Sequence, residues 1–307
     1  MINELCDIDS VIFDCDGVLI DIKNSYDKTI KETVKYIIKR FVNVEINKFV
    51  TNKLINDFKQ SGGFNNEVDL AYSIILSIIT AIKLNKPYEK FIFEVIRHID
   101  IRGMYSVDDY LSTLLYIKNI KHDLNYPNND NVICNVFDEL FYGSKLYYSI
   151  FKKNTIFHCI GFINNDEIIL TKKLLETLKQ KFRHKIAIVT GRGMMATRYS
   201  LKSLLDYFNI KNSMFLDDMA RSFAKPNPLS LITSIKGLHS SHCLYVGDSV
   251  EDLLMANKAT ELGFKVTFCG VYGTDENKKD KIDLFKKKNA HMILKSINSL
   301  PNALNLV

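Results

Sequence analysis

The run Val11-Ile12-Phe13-Asp14-Cys15-Asp16-Gly17-Val18-Leu19 decides how this chain is read. Three apolar residues, two of them β-branched, lead into an acidic turn closed by a glycine, which predicts a buried strand entering a loop. Side chains alternate along a strand, so Asp14 and Asp16 point to one side and Cys15 to the other, into the core. Two carboxylates on one side repel unless a cation or a shared proton holds them. A lone D-x-D-G is also an ordinary acidic turn, so the rest of the chain must decide.

Outward from that strand the texture changes twice. From Asn24 to about Ile150 apolar residues recur three and four apart, as in Ile30, Val34, Ile37, Ile38 and Phe41, and strand signals are missing. From about Ile168 helix and strand alternate. Helices are expected over 170–182, 194–207, 228–235 and 250–259, with strands at 185–190, 214–216, 243–246, 265–269 and 291–294. Runs such as Ile186-Ala187-Ile188-Val189 have no polar face, so helices should cover both sides of the sheet. The expected fold is α/β, a Rossmann-like parallel sheet of residues 1–20 and 164–307, with a helical domain of residues 21–163 inserted after the first strand.

Open parallel sheets take ligands beyond the carboxyl ends of their strands. Thr190-Gly191-Arg192 and Gly247-Asp248-Ser249-Val250-Glu251-Asp252 both follow strands, and Lys225-Pro226-Asn227-Pro228 precedes a helix opened by Pro228. Singly, these read as a strand end, a capped helix with favourable acidic residues, and a surface lysine. Four-residue spacing nevertheless brings Asp248 and Asp252 together at a helix start, where one can bind a metal and the other orient its water or ligand.

Taken together and in order, the four motifs resemble those of the haloacid dehalogenase superfamily, subfamily I. The helical insertion is similar in position to the C1-type cap of its phosphatase branch. The resemblance implies a Mg2+-dependent phosphomonoester phosphatase. In it Asp14 is the nucleophile and a metal ligand, and Asp16 is the acid and base and lends its backbone carbonyl to the metal. Asp248 and Asp252 complete the metal site, while Thr190, the N–H at Gly191 and Lys225 hold the phosphoryl group. A sugar phosphomutase of the same superfamily, or a catalytically silent binding protein, are the alternatives. Arg192 reads equally as a solvated arginine or as a contact to a second anionic group of the substrate. The segment Ser61-Gly62-Gly63-Phe64-Asn65-Asn66 reads either as a helix-connecting turn or as a substrate-facing loop, with Gly63, Asn65 and Asn66 as the candidate contacts.

Composition bounds the remaining classes. With 307 residues, 47% hydrophobic and 25% charged, the chain is an ordinary globular protein and not a disordered or fibrous one. Its longest uncharged apolar run, Leu70 to Ile82, is too short to span a bilayer, and no basic-then-apolar leader is present. The net charge of +6 is spread along the chain. The one dense basic run, Lys278 to Lys288, reads as a solvated helix face, so neither nucleic acid nor membrane is an expected partner. A small phosphorylated metabolite is. Six scattered cysteines without a C-x-x-C pair read as reduced thiols, consistent with a cytoplasmic protein.

Overall fold

The computed structural model describes residues 5–61, 63–64, 66–128, 131–275 and 277–306. Its strands are β1 (Ser10–Phe13), β2 (Ile20–Asp21), β3 (Glu167–Ile168), β4 (Ile186–Thr190), β5 (Met214–Phe215), β6 (Cys243–Gly247), β7 (Val266–Val271) and β8 (Met292–Leu294). The chain divides into two units, Met1–Ile22 with Asp166–Val307, and Lys23–Asn165. Both junctions lie two residues further along the chain than expected; at the first, β2 pairs antiparallel with β3 and so stays in the first unit.

Within that first unit six strands form a parallel sheet in the order β5-β4-β1-β6-β7-β8. The alternation of side chains explains the continuous apolar runs. Val11 and Phe13, Ile186 and Ile188, and Leu244 and Val246 pack on one face with Leu174, Leu178 and Phe182. Ile12, Ala187, Val189 and Tyr245 pack on the other with Leu231, Ile235 and Leu253. Each fully buried side chain of this kind is worth about 1.5–3 kcal/mol relative to exposure. Cys15 is buried in the first of these cores, as its place in the alternation requires. The helix expected over 194–207 stops at Leu201 and continues as a 3-10 turn over Lys202–Tyr207, where Lys202 takes a φ of 50°.

β1 lies between β4 and β6, so the sheet grows first to one side of it and then to the other. Such reversal points are where parallel sheets open a crevice beyond their carboxyl ends. The turn after β1 is held by the Leu19 N–H on the Cys15 carbonyl at 2.7 Å. Gly17 is obligatory there: its φ is +75°, and a Cβ would fall 2.3 Å from Asp248 Oδ2.

The second unit is helical, with helices Tyr26–Val42, Asn52–Ser61, Glu67–Lys83, Tyr88–Ile96, Met104–Leu114, Lys118–Leu124 and Val132–Phe151. Every residue from Leu70 to Ala81 is buried, so the long apolar run is the central helix of this unit, apolar all round because it is surrounded. Ser73 and Ser77 enter that interior by donating to the carbonyls of Asp69 and Ser73. Among the described residues no helix is long and apolar enough to cross a membrane.

The Ser61–Asn66 segment has a local explanation. Asn66 Oδ1 accepts from the N–H groups of Val68 at 2.8 Å and Asp69 at 3.1 Å, capping the central helix. Gly63 has a φ of +78°, and a Cβ there would sit 2.4 Å from the Gly103 nitrogen. Capping and close backbone packing give Asn66 and Gly63 a local structural role. Asn65 lies outside the described residues.

Candidate active site

Four segments meet at the carboxyl ends of β1, β4 and β6. The Asp14 N–H continues the ladder by donating to the Val246 carbonyl at 2.8 Å, which fixes the start of the turn. Its carboxylate is buried, with Oδ1 2.8 Å from Lys225 Nζ. The same ammonium lies 2.7 Å from Asp252 Oδ1, so Lys225 bridges the first and last motifs. Burial works to depress the Lys225 ammonium, but the charges of Asp14 and Asp252 more than reverse it and hold the lysine protonated.

Asp252 is fully buried, and both of its oxygens are engaged. Tyr245 donates its hydroxyl to Oδ1 at 2.6 Å. Ser249 Oγ at 2.7 Å, Ser249 N–H at 3.1 Å and Asp248 N–H at 3.2 Å all donate to Oδ2. Ser249 Oγ in turn accepts from the Asp252 N–H at 3.1 Å, closing a capping box on the Val250–Glu261 helix. Burial would raise this carboxyl, but Lys225, then Tyr245 and Ser249, carry it below its ordinary value. Asp252 thus shapes the loop that carries Asp248.

Asp14 goes the other way. Burial first, and then the neighbouring charges of Asp252 and Asp248, push its carboxyl well up against the pull of Lys225. One carboxylate oxygen from each of Asp14, Asp248 and Asp252 lies within 4.8 Å of the others, an arrangement able to hold a metal ion. Asp16 is not part of that group. Its carboxylate accepts from Arg192 Nη1 at 3.0 Å, and burial raises it although Arg192 opposes.

Arg192 is not the solvated arginine of the first reading: its side chain is entirely buried. It is paired with Asp16 and Asp166 and donates to Ser200 Oγ at 2.7 Å. Thr190, at the end of β4, is buried and accepts the Arg192 N–H on Oγ1 at 3.1 Å, while the Gly191 carbonyl accepts from the Asp217 N–H at 3.1 Å. These bonds set the loop without consuming the Thr190 hydroxyl proton or the Gly191 N–H.

Asp166, Ser200, Tyr245 and Lys281 belong to this neighbourhood and were not picked out by sequence. Lys281 belongs to the Lys278–Lys287 helix, the run read as solvated, yet its Nζ lies 3.0 Å from Asp248 Oδ2. Only Tyr245 had a local signal, as a polar tip within an otherwise apolar strand.

Residues 162–260 match the family model of haloacid dehalogenase-like hydrolases. No curated protein matches the chain by sequence. Among solved structures it is similar to a phosphatase from Thermococcus thioreducens, at 20% identity over 84% of this chain and 90% of that one, with a TM-score of 0.57. A hydrolase of the haloacid dehalogenase superfamily, family IA, variant 3, from Entamoeba histolytica has 16% identity over 97% and 99% of the two chains, with a TM-score of 0.51. A hydrolase from Pseudomonas syringae has 17% identity over 97% and 98%, with a TM-score of 0.50. These likenesses are of fold. With its parallel sheet, its helical insertion between β2 and β3 and the match over residues 162–260, the chain is similar to the hydrolases of the haloacid dehalogenase superfamily.

Proposed function

We propose that the protein is a Mg2+-dependent phosphatase that passes the phosphoryl group of a small phosphomonoester through Asp14. The observation that carries this reading is the Asp14–Lys225–Asp252 ion-pair chain beside Asp248. It provides a buried nucleophile, a fixed positive charge and an oxygen-only donor set. That set suits Mg2+, with Asp14 and Asp248 as carboxylate ligands and Asp252 acting from behind them. Burial, and then the charges of Asp252 and Asp248, raise the Asp14 carboxyl, and a dication there favours its ionised form. Bound there, Mg2+ supplies neutralising charge for the phosphoryl oxygens.

Asp14 attacks phosphorus in line, the bond to the leaving oxygen breaks, and an aspartyl-phosphate forms. Asp16 gives its proton to the leaving oxygen, and its raised carboxyl favours the protonated form this needs. It then takes a proton from the water that attacks the phosphorus, releasing phosphate and restoring the Asp14 carboxylate. Lys225 balances the charge beside the nucleophile, and the Thr190 hydroxyl and Gly191 N–H donate to the phosphoryl oxygens.

The test is phosphate release with Mg2+ over sugar phosphates, phosphoglycolate, phosphoserine, histidinol phosphate and nucleotides. Release from at least one of these, lost in chelator and in Asp14→Asn, is expected. No release from the whole panel overturns the reading, and a requirement for a sugar bisphosphate replaces it with a mutase.

A further inference from the structure

Lys281 lies outside all four motifs, in the basic run whose sequence suggests a solvated face. Its side chain is only 14% exposed. Nζ lies 3.0 Å from Asp248 Oδ2 and 3.1 Å from Asp275 Oδ2, so one ammonium is shared by two carboxylates. Asp275 and its neighbours are held by further hydrogen bonds. The Asp275 N–H donates to the Tyr272 carbonyl at 3.1 Å, and Asp275 Oδ1 accepts from the Asn277 N–H at 2.8 Å. Thr274 Oγ1 donates to the Gly17 carbonyl at 3.2 Å, which ties the loop to the turn after β1.

An ammonium in contact with Asp248 and a dication on that same carboxylate repel one another strongly at such range. We propose that Lys281 is the internal counter-ion of Asp248, displaced toward Asp275 when a divalent cation binds, so that Lys281 and Asp275 together set the cation affinity of the site. The proposal rests on the metal reading of Asp14 and Asp248. Asp275 makes the exchange easy, because the ammonium gives up one carboxylate while keeping the other. Without a cation, Lys281 keeps Asp248 and Asp275 from facing each other as bare charges.

Calorimetric titration of the full chain with Mg2+ and no substrate tests this, with thermal unfolding of the metal-free protein as a second readout. Lys281→Met binds Mg2+ roughly 10-fold more tightly, since one competing charge is gone, and melts lower without metal. Asp275→Asn binds about threefold or more weakly, because the ammonium then rests on Asp248 alone. Combined with Lys281→Met, Asp275→Asn has less than about half of its single effect, the non-additivity expected of coupled neighbours. Lys281→Arg keeps the charge and stays within about threefold of wild type. Unchanged or weaker binding in a folded Lys281→Met, or unchanged affinity in Asp275→Asn, overturns the proposal and leaves the metal site standing. A wild-type protein that takes up no Mg2+ overturns the metal reading and this proposal with it.

Discussion

Arg192 donates from Nη1 to Asp16 Oδ1 at 3.0 Å, and its side chain touches no solvent. The same guanidinium pairs with Asp166, so it holds two carboxylates contributed by chain segments far apart in sequence. An arginine so enclosed is placed to orient Asp16, the proposed acid and base. A planar fork presents its donors in a fixed geometry to both carboxylates, which a flexible ammonium does not.

Arg192→Lys should therefore lower kcat roughly 10-fold or more while KM stays within about twofold, because the interaction lost orients Asp16 and binds nothing. Steady-state kinetics on p-nitrophenyl phosphate checks this. A large rise in KM with kcat unchanged would return Arg192 to the substrate.

Asp14 makes a prediction about stability. Burial, then Asp252 and Asp248, raise its carboxyl against Lys225, so the folded protein holds this proton more tightly than the unfolded chain does. The contribution of a raised group is complete below its unfolded value and is lost as pH rises through its folded value. In chelator, Asp14→Asn should melt higher than wild type by roughly 2 °C or more at neutral pH. The advantage should shrink as pH falls to about 4, the ordinary carboxylate range. Lys225 keeps Asp252 as its partner in that variant. An advantage that grows in acid would contradict the sign.

Tyr245→Phe removes the 2.6 Å hydrogen bond to Asp252 without changing the packing of the ring. Hydrogen bonds to a buried charge are worth about 1.5–3 kcal/mol, and denaturant unfolding should show a loss of that size. Because Asp252 anchors Lys225, kcat should fall as well. Unchanged stability would mean that the remaining donors to Asp252 suffice.

What was legible in sequence was local. β1 could be read from Val11-Ile12-Phe13 because burial on both sides leaves no polar alternation; Asp14, Thr190 and Asp248 stood out because each sits at the end of a strand, and Lys225 because Pro226 and Pro228 mark the approach to a helix. The central helix was visible as Leu70 to Ile82, although only its surroundings explain why it is apolar all round. Arg192 was ambiguous because its partners, Asp16 and Asp166, are brought to it by the fold. Lys281 was misread because a basic run has the same composition whether one of its lysines turns inward or not. Asn66 read as a cap or a contact, and the cap became visible only through its bonds to Val68 and Asp69.

Asn66→Ala should accordingly cost about 1 kcal/mol in chemical unfolding, the usual loss for a helix cap. Turnover of p-nitrophenyl phosphate should be unaffected under conditions where the variant is folded. A fall in kcat/KM for a panel substrate with stability intact would restore the segment to substrate binding.

The claim on which the account turns is that Asp14 carries the phosphoryl group. Acid-quenched single turnover with radiolabelled acetyl phosphate and Mg2+, followed by peptide mapping, measures it directly. The account predicts label on the peptide containing Asp14 in the wild type and none in Asp14→Asn, whose kcat falls by roughly 10³ or more. Label on a different residue, or wild-type turnover by Asp14→Asn, would contradict it.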